Sequence, residues 1–217
     1  MPDTGDPLGP HDSGDHSRRG RVRAFLGVVA DRIVGVAPRV PVRDGATLRR
    51  QFPGLEPEEI ADKLVSGALN GSATIGAGVG AAAMMPVPPA MPAELATELV
   101  GVACVELKLI AELHEVYGCP APGSPQQRTM AYLRAWTAER RIDLTHPATL
   151  NAALGAQVRR ELQHRLVRRT LRTLPSLAPF MMGAAVGAVM NRRGTARLAE
   201  RVRKDLRREA LPRPPEP

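Results

Sequence analysis

The chain has 217 residues, of which 43% are hydrophobic and only 3% aromatic, and its formal net charge is +8. This length is enough for one domain with a hydrophobic core and too short for two domains once the polar tails are set aside. Cores rich in β-structure depend on aromatic and β-branched side chains, whereas this chain relies on Ala, Leu, Val and Gly. The composition therefore predicts an all-α fold, a compact helical domain with disordered tails.

The positive charge lies in the last third of the sequence. Residues 155–211 contain fourteen Arg or Lys and four Asp or Glu, whereas the residues before them carry a net charge of −2. Such a cluster can contact acidic lipid head groups, nucleic acid or an acidic protein face, because long-range attraction does not select among polyanions. Nucleic acid is disfavoured as the partner, since the basic segments lack aromatic stacking groups and any groove-reading motif.

The N-terminal part of the chain is predicted to be a tail followed by a helix. Residues 1–20 contain too few apolar side chains to join a core and should be disordered. They also lack the basic and apolar regions of a signal peptide, so we expect a cytoplasmic protein. Apolar residues recur at helical spacing over 21–36, which predicts an amphipathic helix, and 39–54 is predicted to be a connector.

Two long segments without any charge, rich in Gly and Ala, cover residues 64–93 and 173–191. They indicate closely packed helical hairpins, buried in protein or set against a bilayer. The second segment is not a comfortable membrane span, because about 20 continuous apolar helical residues are needed to cross the hydrocarbon core and Pro175 and Pro179 interrupt it.

The first of these segments is predicted to form an antiparallel helical hairpin held close by small residues. Its first helix begins at Pro57, where Glu58 and Glu59 complement the positive end of the helix dipole, and ends near Met85. The return helix covers 92–117 and should end at Gly118, in the left-handed conformation that favours glycine.

The second half of the chain is predicted to be helical throughout. Ser124 and Gln127 form a capping-box pattern that opens a helix. A small-residue helix and a basic helix should be separated at Gly194 by a Thr195 cap. The predicted helices cover 125–141, 148–174, 179–191 and 195–210. The whole chain is thus predicted to be one helical domain over 21–211, followed by a short tail over 212–217.

Three pairs of glycines are spaced four residues apart, which places both members of a pair on one helical face and lets a partner helix approach closely. The spacing is compatible with tight packing in a soluble bundle or with a small-residue face in a membrane. It lacks the strand and the Lys-Ser/Thr of a phosphate-binding loop. The predicted close-packing residues are Gly67, Gly71, Gly76, Gly80, Gly183 and Gly187.

Glu106 is the most informative titratable residue of the return helix. On a helical wheel it projects into the apolar sector and should be partly buried, in an ion pair or hydrogen bond, for example with an Arg of the basic helix. A proton-relay or catalytic role is the alternative. The other charged residues of this helix share one sector, and they are Glu94, Glu98, Lys108, Glu112 and Glu115.

No set of residues indicates a particular reaction, so no catalytic residue, metal ligand or cofactor is predicted. His114 lacks a second His at helical spacing and is interpreted as a structural or surface histidine. Cys104 and Cys119 are interpreted as reduced thiols.

Two blocks resemble a known family. Residues 58–118 read EEIADKLVSGALNGSATIGAGVGAAAMMPVPPAMPAELATELVGVACVELKLIAELHEVYG, and residues 174–204 read LPSLAPFMMGAAVGAVMNRRGTARLAERVRK. Their small-residue helix, Pro-rich tip, returning helix with a terminal Tyr-Gly pair and closing basic helix are similar to the EcsC family of bacterial proteins. The tip lacks the Asp expected after its prolines. The resemblance implies a helical, membrane-proximal protein and carries over no catalytic residues.

Two hypotheses for the function follow. The first is a non-enzymatic helical module that associates peripherally with the inner face of the cytoplasmic membrane, or with an acidic protein face or a membrane protein. The second is an enzyme or small-ligand-binding protein that uses Glu106 in a pocket between helices. For the first, the basic residues predicted to contact lipid or an acidic partner are Arg192, Arg193, Arg197, Arg201, Arg203 and Lys204.

Overall fold

The structure, a computed structural model, describes residues 13–82, 91–140 and 178–210. Six α-helices and a short 3-10 helix cover most of these residues, and no strand lies among them. They are α1 (Ser13–Val36), the 3-10 helix (Ala37–Arg39), α2 (Gly45–Gln51), α3 (Pro57–Ala82), α4 (Met91–Val116), α5 (Pro125–Glu139) and α6 (Ala178–Ala210). The all-α fold class predicted from the composition is confirmed.

Helices α3 and α4 pack antiparallel, as the hairpin prediction requires. Gly71 of α3 faces Val105 of α4, and one turn further along α3 Ile75 lies against Gly101 of α4. The matched small and branched residues let the two backbones approach without leaving a gap.

Helix α6 packs along the other side of α3, also antiparallel. Arg203, near the C-terminal end of α6, binds Glu58 at the start of α3, and Arg192 binds Asn70 further along. Since α3 is antiparallel to both α4 and α6, these two helices run parallel to each other. The three long helices form the centre of the domain.

The hydrophobic core is built around α4 from side chains of all six helices. The largest apolar side chains with essentially no exposure are Leu48 of α2, Ile110 and Leu113 of α4, and Leu198 of α6. Helix α5 adds Tyr132, Leu133 and Trp136 to the core.

Three local sequence signals give the predicted structure. Helix α3 begins at Pro57. The Ser124 hydroxyl accepts a hydrogen bond from the Gln127 amide in a complete capping box at the start of α5. Gly118 follows α4 with φ of 74°, a conformation that costs other residues about 1 kcal/mol or more.

Two boundary predictions near the N-terminus are wrong. Helix α1 begins at Ser13, eight residues before the predicted start and inside the segment expected to be disordered. The predicted connector 39–54 contains the short helix α2, whose first turn is capped by the Asp44 carboxylate. Asp is a preferred N-cap residue, a signal that apolar periodicity does not detect.

The predicted break at Gly194 and Thr195 is also wrong, because α6 is continuous from Ala178 to Ala210. Thr195 is fully buried in mid-helix and donates its hydroxyl to Glu106 of α4, so it caps nothing. A single glycine costs a helix only about 1 kcal/mol, which tertiary packing on both sides of Gly194 overcomes. The Pro-rich tip over 86–92 lies largely outside the described residues, and so do the predicted helix 148–174 and the tail 212–217.

Candidate functional site

The closest approach in the described part of the domain is between the backbones of α3 and α6. A Cβ built on Gly76 would lie 2.7 Å from the carbonyl carbon of Gly187, and one built on Gly80 would lie 2.7 Å from that of Gly183. Real Cβ atoms essentially never come nearer than 3.0 Å to another heavy atom. Glycine is therefore required at this crossing for steric reasons, whatever its helix propensity.

The sequence places Gly76 in the contact between α3 and α4, but in the structure Gly76 packs on α6 instead. Of the other predicted glycines, Gly71 faces Val105 of α4, which would lie at an ordinary 3.6 Å from an added Cβ. Gly67 makes no close contact, because nothing lies within 4 Å of a Cβ at that position. Glycine spacing indicates that a helical face lacks protruding side chains, but it does not indicate which helix packs on that face.

Glu106 is the most deeply buried charged group among the described residues, with 0% exposure. One carboxylate oxygen accepts from the Trp136 indole at 2.8 Å and from Arg140 Nε at 3.0 Å. The other accepts from Thr195 Oγ1 at 2.8 Å and from a terminal nitrogen of Arg140. Its cationic partner thus comes from the end of α5, and not from the basic helix as predicted.

This arrangement leaves Glu106 well supplied with donors. Two hydrogen bonds reach each oxygen, and a bidentate guanidinium compensates the buried charge. No buried side-chain nitrogen or oxygen atom in the described part of the chain lacks a hydrogen-bond partner. Glu106 ties α4, α5 and α6 together at one point, which is the geometry of a structural carboxylate.

A second buried carboxylate on α4, Glu112, holds the chain before α2. It is 2% exposed, although it shares a helical sector with other charged residues of α4. Burial alone would raise the pKa of Glu112, but hydrogen bonds from Arg43 and Lys108 outweigh burial and lower it. Arg43 binds both carboxylate oxygens, with distances of 2.8 Å from Nε and 2.6 Å from a terminal nitrogen.

A third cluster joins the start of α3 to the ends of α4 and α6. Glu58 accepts hydrogen bonds from Arg207, Arg203 and Tyr117, at 2.6, 2.5 and 2.9 Å respectively. Arg203 also binds Asp62. The hydrogen bonds from Arg207, and then those from Arg203 and Tyr117, lower the pKa of Glu58 to about 2.

Acid should therefore weaken the domain through Glu58. Its pKa is lower in the folded chain than its ordinary value of 4.5, so its stabilisation is complete above that value and is lost as the pH falls towards 2. We expect Glu58→Gln to reduce the fall in the urea midpoint between about pH 5 and pH 2. Glu56→Gln, at an exposed neighbouring carboxylate, is the control and should keep the wild-type fall. Identical acid profiles for wild type and Glu58→Gln would contradict the assignment.

The outer side of α6 carries a continuous stripe of exposed residues at intervals of three, four or seven, which is the spacing of one helical face. Its first half is apolar, and its second half is basic apart from Glu200, which lies three residues after Arg197 and four before Lys204. We define this α6 stripe as Met182, Val186, Val189, Arg193, Arg197 and Lys204, all of them exposed.

Each half of the stripe is unusual for a surface. Val186 and Val189 are 39% and 45% exposed, and α6 has no charged or polar side chain before Asn191. Arg193, Arg197 and Lys204 have no acidic partner among the described residues, although Glu200 also lies on this side of the helix. The stripe therefore presents three basic residues, with Glu200 beside them, directly next to an apolar surface.

The structure divides the six predicted basic residues into two groups. Arg192, Arg201 and Arg203 are engaged with Asn70, Glu139 and Glu58, respectively. The other three are the basic members of the α6 stripe. Sequence alone gives no signal for this division, because it depends on which side chains α3 and α5 bring against α6.

Other features of the described residues give no sign of chemistry. No helix of the described ranges combines the length and apolar character needed to cross a membrane. No group of three or more His, Cys, Asp or Glu residues in them is placed to hold a metal ion. His114 binds the Ile110 carbonyl and packs on the Tyr132 ring, and Cys104 and Cys119 are free and half-buried.

Comparison of the chain with protein-family models, curated proteins and solved structures finds no match. The resemblance of the two sequence blocks to the EcsC family therefore stays a prediction.

Proposed function

We propose that this chain is a non-enzymatic helical module that associates peripherally with an anionic membrane surface through the α6 stripe. The observation that carries the proposal is that Arg193, Arg197 and Lys204 share one helical face, without an acidic partner in the described ranges and next to exposed apolar residues. A basic residue near an anionic surface contributes on the order of 1 kcal/mol, so three on one face act together. Membership of the EcsC family, which implies a membrane-proximal protein, is part of the same proposal.

The alternative, a ligand-binding or catalytic pocket at Glu106, has less support in the geometry. The donors around Glu106 are protein side chains from α6 and from the end of α5, and they occupy both of its oxygens. A groove of about 170 Å³ lies elsewhere, between Val65 of α3 and Arg203 of α6. Pockets for small molecules are usually larger, about 300–1,000 Å³.

The proposal predicts that reversing the free charges abolishes membrane binding without unfolding the domain. In flotation with vesicles of phosphatidylglycerol and phosphatidylcholine, Arg193→Glu/Arg197→Glu/Lys204→Glu should lose at least about 100-fold in partition coefficient, since about 3 kcal/mol of attraction is removed. Circular dichroism should show unchanged helical content, because all three side chains lie on the exposed side of α6.

A matched control separates the effect of charge on the α6 stripe from the effect of net charge on vesicle binding. Arg32, Arg49 and Arg134 are exposed residues of α1, α2 and α5. Their triple replacement by Glu changes the net charge equally and should reduce binding far less. Equal losses for the two triple variants would show that net charge, and not the α6 stripe, governs binding, and would overturn the proposal.

A further inference from the structure

The first half of the α6 stripe continues onto a neighbouring helix. The contacts of Gly76 with Gly187 and of Gly80 with Gly183 bring the end of α3 alongside the start of α6. Residues 75–82 of α3 and 178–190 of α6 contain no charged or hydrogen-bonding side chain. The domain therefore has one uncharged end that is two helices wide.

The polar side chains next to this end are satisfied internally. Thr74 donates to the Asn70 carbonyl, Ser72 donates to the Leu69 carbonyl, and Asn191 donates to Glu98 of α4 at 2.8 Å. Backbone groups inside the helices are paired by the helices themselves, except for the first amides of α6 and the last carbonyls of α3. The first turn of α4 contains one acidic residue, Glu94.

From this surface we infer that the apolar half of the α6 stripe inserts into one leaflet of the membrane that its basic half binds. The inference rests on the proposed function. Shallow insertion of Met182, Val186 and Val189, with Arg193 and Arg197 at the level of the head groups, matches the layering of an anionic leaflet.

The charges favour lipid over two other ways of covering this face, a further segment of this chain and a second copy of it. The segment 141–177 of the same chain contains seven Arg and two acidic residues, and it would bring further positive charge onto Arg193 and Arg197. A second copy packed face to face would do the same with its own stripe. An anionic leaflet supplies negative charge and apolar chains side by side.

The test uses neutral substitutions, so that electrostatic attraction is unchanged. Val186→Asn/Val189→Asn should reduce recovery with phosphatidylglycerol vesicles at least about tenfold, since two valine side chains lose their transfer from water to lipid. The control, Val28→Asn/Val42→Asn, alters two exposed valines on other parts of the chain and should bind as wild type. Circular dichroism and thermal melting verify that both variants fold.

An environment-sensitive fluorophore locates the face directly. It is attached to Val186→Cys, and to Val28→Cys as control, after replacement of Cys104 and Cys119 by Ala. Vesicles should shift the emission of the label at 186 to the blue, and lipids with brominated acyl chains should quench it, while the label at 28 stays in water.

Each other outcome overturns a stated part of this binding mode. If wild type floats but the label at 186 stays in water, insertion is wrong and peripheral binding through charge stands. If that label is already in an apolar environment without lipid and does not change, another protein surface covers the face and insertion is wrong. If wild type does not float, the proposed function and the inference fail together.

Discussion

Gly76→Ala is expected to destabilise the domain by at least about 3 kcal/mol, at the upper end of the cost of overpacking. The added methyl group would lie 2.7 Å from the Gly187 carbonyl carbon. Because this neighbour is backbone in the middle of a helix, the clash is relieved only if α3 and α6 move apart along their shared length. Urea unfolding followed by circular dichroism measures the change.

Gly78→Ala is the matched control two residues away on the same helix. Nothing lies within 4 Å of a Cβ at this position, so the variant should gain about 0.5–1 kcal/mol from the better helix propensity of Ala. Opposite signs for the two substitutions are the distinctive expectation. If the Gly76→Ala domain were as stable as the Gly78→Ala domain, the close contact between α3 and α6 would be contradicted.

Glu106→Ala is expected to cost about 3–5 kcal/mol, the usual effect of removing one partner of a buried ion pair. It would leave Arg140, Trp136 and Thr195 without their common acceptor in the interior. Because Trp136 is the one tryptophan of the chain, its fluorescence should also change as its indole loses the hydrogen bond. Urea unfolding followed by both signals measures the effect.

Glu139→Ala provides the comparison for Glu106. Glu139 of α5 binds Arg201 of α6, but the Arg201 side chain is 48% exposed. Exposed pairs of this kind contribute about 0–1 kcal/mol. Similar losses for Glu106→Ala and Glu139→Ala would contradict the structural role assigned to Glu106.

Local signals in the sequence predict much of the helical framework. Pro57, the capping box of Ser124 and Gln127, and Gly118 act within one turn of the chain, so each helix end is encoded beside the residues that form it. The same locality explains the error at Thr195. A Ser or Thr after a glycine suggests a helix start, yet here the hydroxyl satisfies a carboxylate from α4, which is distant in sequence.

The pairing of residues in the candidate site is harder to predict from the sequence than the helical fold. Helical periodicity places Glu106 in the apolar sector of α4, so the burial of its carboxylate is predicted from the sequence alone. Its partner Arg140 follows a helix whose rotation is set by packing, so the pairing has no local signal. For the same reason the basic residues 192–204 form one group in sequence, and only contacts from α3 and α5 separate Arg193, Arg197 and Lys204 from the paired arginines.

The most direct test of membrane binding through the α6 stripe uses the wild-type chain. Its binding to vesicles is measured while the fraction of anionic lipid and the salt concentration are varied. We expect binding that increases with the anionic fraction and declines as salt screens the exposed charges. Failure to bind anionic vesicles at low salt, or binding that is equal on neutral and anionic vesicles, would contradict the assignment of the α6 stripe as a membrane-binding surface.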